Sequence, residues 1–205
     1  MPTPQLLSGF VLGFSAGIAP GPLLTLVIAQ SLSHGIAEGI KVALAPLITD
    51  LPIIIAALVL GSRLAAAPFP LGLLSVAGAA YLCYLAWESM TVTPVVHHET
   101  PRTPRSVKRG VIANFLNPHP YLFWITVGTP MLHKAWTAGP PVAILWLSGF
   151  YAVLVGTKIV LAVLVGRWRR LLQGRPYLWA NRLLGGVLLF FAAALVKDGW
   201  QLILG

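Results

Sequence analysis

Asp50 is the first residue in this sequence whose type and position could do chemistry, because it is an acid inside an apolar stretch. It lies in a run from about Gly39 to Leu60. Pro46 and Pro52 stand on either side of it, and we predict that they loosen this helix as further helix-break residues. A carboxylate in the middle of a membrane span is costly, and it usually faces a cavity or a partner. We expect Asp50 to take up and release a proton as the site changes its side of exposure. The alternative is a structural carboxylate that binds backbone groups freed by Pro52.

Lys158 is placed in the same way inside another apolar run, from about Val142 to Val165. An unpaired ammonium and an unpaired carboxylate would each be expensive in the membrane, whereas together they offset much of the cost. We predict that Asp50 and Lys158 approach each other in at least one state of the cycle, with substrate or proton competing for the pairing. The alternative is that the Lys158 side chain extends to the membrane interface.

A third apolar stretch, from about Val107 to Leu132, carries Asn114, Asn117 and His119. On a helix the two asparagines would share one face, because they are three positions apart. Histidine titrates near physiological pH. We predict that the asparagines contribute amide groups to a binding site and that His119 senses or relays protons. Packing between helices by the asparagines and a structural hydrogen bond of His119 are the alternatives.

Proline and glycine residues interrupt two of the apolar stretches that must position these groups. The first lies between about Leu6 and Leu32, and the second is the stretch with the two asparagines. The interrupting residues are Gly17, Pro20, Gly21 and Pro22 in the first stretch, and Pro118 and Pro120 in the second. Discontinuous spanning helices of this kind form the mid-membrane sites of many transporters. For the first break taken alone, a simple proline kink is the alternative.

Each of these prolines leaves the carbonyl four residues before it without its helical partner. The carbonyls concerned are those of Ala16, Ile18, Asn114 and Leu116. In hydrocarbon such groups must be satisfied by protein, water or a ligand, and the helix ends at the breaks add partial charges of both signs. A site of this kind suits a zwitterion, with its carboxylate at a half-helix N-terminus and its ammonium on carbonyl oxygens and Asp50.

The composition excludes an ordinary soluble protein. The 205 residues are 57% hydrophobic and only 9% charged, against about 25% charged in an average soluble domain. The net charge of +9 does not indicate nucleic-acid binding, because the basic residues fall between apolar runs, as in proteins oriented in a membrane. We therefore expect membrane lipids and no nucleic acid among the partners. The single cysteine, Cys83, excludes an intramolecular disulfide.

The two interrupted stretches lie about half a chain length apart, which indicates an inverted repeat. We predict an all-α integral membrane protein with six transmembrane helices, arranged as a 3+3 inverted repeat with broken first and fourth helices. One transporter domain would occupy residues 1–205, with repeat 1 at about 1–90, a linker at about 91–106 and repeat 2 at about 107–205. The excess of lysine and arginine in the odd-numbered links predicts that the linker and a basic loop at 166–182 are cytoplasmic, with both termini outside. In the alternative, the first broken stretch only re-enters the membrane and the N-terminus lies inside.

Several motifs of this sequence resemble those of the lysine-exporter (LysE/RhtB) family of small bacterial amino-acid exporters. The resemblance rests on the Gly and Pro-Gly-Pro pattern of the first stretch, on Asp50, and on the Asn-x-x-Asn-Pro sequence at 114–118. It implies an amino-acid substrate, and the family typically has an acid at the position of Asp50. The family commonly has a lysine after this Asn-Pro, where the present chain has His119.

The residues and the resemblance together predict a secondary transporter of the cell inner membrane that exports a small polar metabolite, an amino acid or a derivative. Protons would drive it by alternating access, since the sequence has no ATP-binding loop. The small-molecule substrate and protons are thus its partners, and no cofactor, metal or catalytic residue is predicted. One alternative is a divalent-cation exporter of the same fold, which would prefer more carboxylate or thiolate ligands. The other is a membrane-embedded enzyme, which would need a nucleophile–base pair or a metal cluster.

Two further patterns allow more than one interpretation. The His97-His98-Glu99 sequence of the linker resembles a metal-ligand cluster, but adjacent residues on a flexible linker seldom converge on one ion. Gly9, Gly13 and Gly17 recur every four residues. This spacing permits a homodimer, and it serves equally well for packing within one chain.

Overall fold

The computed structural model describes residues 3–65, 68–91, 104–168 and 175–204. Within these ranges the chain is helical and contains no strand, so the prediction of an all-α fold is confirmed. The elements of the described chain, in order, are α1 (Thr3–Ile18), α2 (Pro22–His34), α3 (Ile36–Ala43), α4 (Ala45–Ala65), α5 (Pro68–Met90), α6 (Ser106–Phe115), α7 (Pro118–Phe123), a π-helical turn (Trp124–Gly128), α8 (Thr129–Ala138), α9 (Pro140–Trp168) and α10 (Arg175–Leu204).

Four stretches of the described chain are long and apolar enough to cross a membrane: Ile36–Val59, Gly72–Met90, Pro140–Trp168 and Leu178–Leu204. The bent pair formed by Leu6–Ile18 and Pro22–His34 makes a fifth if it is counted as one span. The predicted fourth span is divided into α6, α7, the π-helical turn and α8. It is not one of the stretches that are long and apolar enough to cross a membrane. The layout of six spans in two inverted halves therefore stays a prediction.

The first predicted break lies between α1 and α2, which are bent by 62° relative to each other. Pro22 occupies the first turn of α2, where its missing N–H costs nothing. Gly21 precedes it in an extended conformation. The second break lies at Leu116 and Asn117, and Pro118 begins α7 in the same way. At both positions a proline ends one helix and starts the next.

The prolines beside Asp50 behave differently from each other. Pro46 is the second residue of α4, and α3 ends just before it at Ala43. Pro52 lies inside α4, which continues without a break. The stretch predicted as one loosened span therefore consists of a short helix and a long one that carries Asp50.

The helix pairings can be described for the two predicted halves in turn. The broken stretch of the first half packs through α1 on α9, and that of the second packs through α6 on α3 and α4. The last helices of the two halves, α5 and α10, pack on each other. Gly35 and Gly139, which have the positive φ angles of 100° and 136°, form the turns after α2 and α8. The inverted repeat itself stays a prediction.

The three regularly spaced glycines of α1 are used for packing within the chain. A methyl group at Gly9 would lie 2.9 Å from the Trp146 carbonyl oxygen, and one at Gly17 would lie 2.9 Å from the Thr157 Cβ. Gly13 faces the Phe150 backbone even more closely. Such bare backbone lets two membrane helices approach, so α1 lies directly against α9.

Two groups of buried apolar side chains form the interior. One lies mainly among α2, α3, α5, α6 and α10, with single alanines from α4 and α9, and it includes Leu23, Leu26 and Leu188. The other joins α4, the π-helical turn, α8 and α9, and it includes Trp124 and Phe150. Leu23, Trp124 and Phe150 all line one cavity, which therefore lies where the two groups meet.

Candidate functional site

Both helix breaks border a single cavity of about 380 Å³. The residues that line it and were predicted from sequence are Pro20, Gly21, Pro22, Pro46, Asp50, Asn114, Asn117, His119, Pro120 and Lys158. Gly17, Pro52 and Pro118 were predicted as helix-break residues and do not line it. The structure thus brings the five predicted polar residues together, while their roles in binding or proton coupling stay predictions.

Asp50 is 5% exposed, and its carboxylate accepts hydrogen bonds from three helical segments besides its own. The Asn114 Nδ2 donates to Oδ1 over 3.1 Å. The Tyr151 hydroxyl donates to Oδ2 over 3.1 Å, and the Trp124 Nε1 makes a longer contact of 3.5 Å to the same oxygen. Thr49 adds a contact of 3.3 Å to Oδ1. Among the described residues these partners are side chains and not backbone groups freed by Pro52. Whether Asp50 has a structural role or takes up a proton stays a prediction.

Thr49 connects Asp50 to α6 a second time. The Asn114 Nδ2 donates to the Thr49 Oγ1 over 2.6 Å, and Thr49 donates to the carbonyl of Ala45 one turn earlier in α4. Thr49 is fully buried. Because one amide group contacts both Thr49 and Asp50, the position of α6 depends directly on this face of α4.

Lys158 holds the end of α1. Its side chain is 4% exposed, and its Nζ donates to the carbonyl oxygens of Ala16 and Gly17 over 3.1 Å and 2.9 Å. These carbonyls belong to the last turn of α1, where helical partners are missing and the backbone carries partial negative charge. The alternative in which Lys158 extends to the membrane interface is wrong in this structure.

Asp50 and Lys158 line the same cavity without forming an ion pair. The ion pairs within the described residues join Lys41 to Glu38 and Arg109 to Glu88. Each of the two buried charges binds polar groups of other helices instead. Their direct pairing in another state of the cycle stays a prediction.

Asn114 and Asn117 do not share a helix face, contrary to the prediction. Asn114 lies in α6, whereas Asn117 lies outside it and caps the first turn of α7, where its side-chain oxygen accepts from the His119 N–H over 3.1 Å. The break forced by Pro118 separates them. The His119 residue itself is exposed at the cavity, and the role of its ring in proton transfer stays a prediction.

Two of the four carbonyls predicted to be free have partners. The Ala16 carbonyl accepts from Lys158, and the Asn114 carbonyl accepts from the Asn117 N–H over 3.3 Å. The second carbonyl that Lys158 binds belongs to Gly17 and not to Ile18. The prediction of four free carbonyls is therefore wrong, because the chain supplies donors from a neighbouring helix and from its own turn.

Aromatic rings form one wall of the cavity, and sequence reasoning did not include them. Phe123 stacks on Phe150 at a centroid distance of 5.6 Å, and Trp124 meets Phe150 edge to face at 5.6 Å. Tyr151 stacks on Trp124 at 6.4 Å. Buried tyrosine and tryptophan usually find a partner for their polar tip. This tendency was the available signal that Trp124 and Tyr151 would contact the buried acid.

Polar contacts join four helices through residues near their ends. The Ser106 Oγ donates to the Gln30 Oε1 over 3.1 Å, between α6 and α2. Asn181 of α10 accepts from the Ser33 hydroxyl through its side chain and from the Ser89 hydroxyl through its carbonyl, over 3.1 Å and 2.9 Å. These bonds connect α2, α5, α6 and α10.

Other sequence features lie in part beyond the described ranges. The His97-His98-Glu99 sequence and most of the predicted linker fall at 92–103, and the centre of the predicted basic loop falls at 169–174, outside the residues that the structure describes. Within the described residues there is no group of three or more His, Cys, Asp and Glu placed to hold a metal ion. Cys83 is exposed on α5.

Comparison with known proteins adds one match. The family model described as LysE type translocator matches residues 14–199. No curated protein and no solved structure matches the chain. The matched range includes both helix breaks and every residue that lines the cavity.

Proposed function

We propose, because this chain belongs to the LysE type translocator family, that it exports an amino acid or a similar small polar metabolite in exchange for protons. The family makes the protein a multi-pass membrane transporter. We place it in the cell inner membrane, with the linker and the basic loop in the cytoplasm, as the distribution of lysine and arginine favours.

The observation that carries this proposal is a cavity that holds one acid and one base between two helix breaks. Asp50 offers a negative charge and Lys158 a positive charge, while Phe123, Phe150 and Leu154 supply apolar surface. A zwitterion with a small side chain complements all three features. Its ammonium and carboxylate would find charge or helix-end partners without leaving an unpaired charge in the membrane.

The partners of Asp50 suggest how a proton drives the cycle. Its hydrogen bonds to Asn114, Trp124 and Tyr151 all come from donors, which bind the lone pairs of the carboxylate. A proton on Asp50 would remove the charge that these donors bind. We propose that protonation loosens α6, the π-helical turn and α9 from α4, and that loss of the proton tightens them again.

The contacts of Asp50 and Lys158 suggest how a change at either charge would move the two predicted halves. Asp50, in the first predicted repeat, binds Asn114, Trp124 and Tyr151 of the second. Lys158, in the second repeat, binds the α1 carbonyls of the first. A change at either charge therefore acts across the boundary between the halves, which is where rocking in alternating access must occur.

Reconstituted vesicles test this proposal. Purified protein in vesicles should move amino acids against their gradient when an opposing proton gradient is imposed. We expect Asp50→Asn to retain exchange of amino acid for amino acid and to lose the response to the proton gradient. The matched control is Asp198→Asn on α10, outside the cavity, which should keep the full response. A variant Asp50→Asn with unchanged coupling would remove this residue from the mechanism, and wild-type vesicles that move no amino acid would refute the substrate class.

A further inference from the structure

The Lys158 ammonium lies where the proposed function needs the ammonium of the substrate. The Ala16 and Gly17 carbonyls belong to the last turn of α1, next to the first break. They accept hydrogen bonds from Lys158 Nζ over 3.1 Å and 2.9 Å. Ala16 and Lys158 both line the cavity. Gly17 itself does not line the cavity, so an ammonium from a bound amino acid would approach these oxygens from the side of Ala16. Two ammonium groups repel each other at this distance, so the substrate ammonium takes this place when that of Lys158 leaves it.

Both the Lys158 ammonium and the two carbonyls that it binds are held in place by their surroundings. Lys158 is nearly completely buried, and a buried ammonium that loses its acceptors is costly. The carbonyls are fixed because Gly17 packs against Thr157 and Leu154 of α9, the helix that carries Lys158. The ammonium therefore leaves the carbonyls readily only if another negative group receives it.

The cavity contains few other charges. Among the described residues that line it, Asp50 is the only acid and Lys158 is the only lysine or arginine. Asp50 already has donors from Asn114, Tyr151 and Trp124. One carboxylate thus balances one ammonium, and a further positive charge would have no partner.

We propose that Lys158 is a tethered substitute for the substrate ammonium, so that the site takes zwitterionic amino acids with no second positive charge. The substrate ammonium replaces that of Lys158 at Ala16 and Gly17, and the released Lys158 binds the substrate carboxylate. Every charge then has a partner, and the cavity stays neutral. This inference rests on the proposed export of amino acids and specifies their charge class.

The walls of the cavity favour the same class of substrate. Leu23, Leu24, Phe123, Phe150 and Leu154 line it together with the charged groups. An aliphatic or aromatic side chain would gain from contact with them, whereas a second ammonium would be transferred into an apolar environment. The structure thus favours substrates such as leucine over substrates such as lysine.

Norleucine and lysine are a matched pair of probes, because they share one carbon chain and differ by the terminal ammonium. Binding of each to purified wild-type protein should be measured by calorimetry at neutral pH. We expect norleucine to bind at least about tenfold more tightly, since an unpaired charge in an apolar site costs more than the 1.4 kcal/mol of a tenfold change. Equal or tighter binding of lysine would overturn the inference while leaving amino-acid export in place. Absence of binding by both, and by the other amino acids, would instead refute the proposed function.

A complementation experiment tests the position of the ammonium. In Lys158→Ala the two carbonyls lose their donor, and methylammonium added to the solution should raise the midpoint of thermal unfolding. Tetramethylammonium, which has no N–H, should not. Lys134→Ala on α8 is the control, because Lys134 is exposed and lies outside the cavity. Equal responses to the two cations would overturn the inference. Lys158→Met, which keeps most of the side-chain volume, allows the same measurement if the alanine variant does not fold, and the wild-type comparison of norleucine with lysine remains decisive if neither variant folds.

Discussion

Replacement of Gly13 by alanine should separate α1 from α9 and weaken the site. A methyl group there would meet the Phe150 carbonyl oxygen at less than contact distance, with the Phe150 carbonyl carbon and Cα both at 3.1 Å. These atoms belong to the backbone of α9, so they cannot rotate away as a side chain would. The end of α1 that Lys158 binds lies only one turn further along.

The size of this effect can be worked from two opposing contributions. Overpacking against backbone costs about 3 kcal/mol, while alanine gains about 1 kcal/mol over glycine in helix propensity. We therefore expect Gly13→Ala to lower the free energy of unfolding by about 2 kcal/mol. Substrate exchange should also slow, because a displaced α1 moves its carbonyls away from Lys158.

Gly156→Ala is the matched control, because Gly156 also lies in a membrane helix but has nothing within 4 Å of an added methyl group. It should stabilise the protein by about 0.5–1 kcal/mol through helix propensity alone. Both variants can be measured by equilibrium unfolding in the same detergent micelles. If Gly13→Ala is as stable as Gly156→Ala, the close packing of α1 on α9 is wrong, and with it the placement of the Lys158 contacts.

Further predictions concern the buried acid, the ion pair between Arg109 and Glu88, and the exposed Cys83. Tyr151→Phe removes a donor from the Asp50 carboxylate and should lower the free energy of unfolding by about 1.5–3 kcal/mol. Tyr121→Phe removes only a bond to a backbone carbonyl and should lower it by about 0.5–1.5 kcal/mol. Similar losses in equilibrium unfolding would contradict a special role for Tyr151. Arg109→Ala breaks the 2.7 Å contact to Glu88 and should cost about 1–2 kcal/mol, and adding Glu88→Gln should recover part of it, because one Glu88 oxygen is buried without a partner. If the double variant is less stable than Arg109→Ala, the carboxylate has another role. Cys83→Ser should change stability by less than about 0.5 kcal/mol, because the side chain is exposed; a larger loss in thermal unfolding would indicate a buried contact.

Helix breaks were predictable because proline acts locally. Pro20, Pro22, Pro118 and Pro120 each lack an N–H and disfavour continuation of the helix that precedes them, so both breaks could be located from sequence. The same rule did not distinguish Pro46, which starts α4, from Pro52, which α4 accommodates in its interior. That difference depends on neighbouring helices, which the local sequence does not specify.

The predicted polar residues meet at one cavity because buried charge in a membrane span is expensive and must face an interior site. Their partners were harder to predict. Lys158 binds Ala16 and Gly17 although more than half of the chain separates them, and Tyr151 reaches Asp50 from another helix. Pairings of this kind depend on which helices pack together, and that information is not contained in the spacing along one helix.

The most direct test of a substrate cavity shared by both breaks is protection of cysteines by substrate. Ala19 of the first break and His119 of the second are both exposed and line the cavity. In a Cys83→Ser background, Ala19→Cys and His119→Cys should each react with a water-soluble thiol reagent, and norleucine should slow both reactions. Lys134→Cys, outside the cavity, should react at the same rate with or without norleucine. Protection of both positions is the predicted result, and protection of neither or of only one by a ligand that binds would contradict a single site between the two breaks.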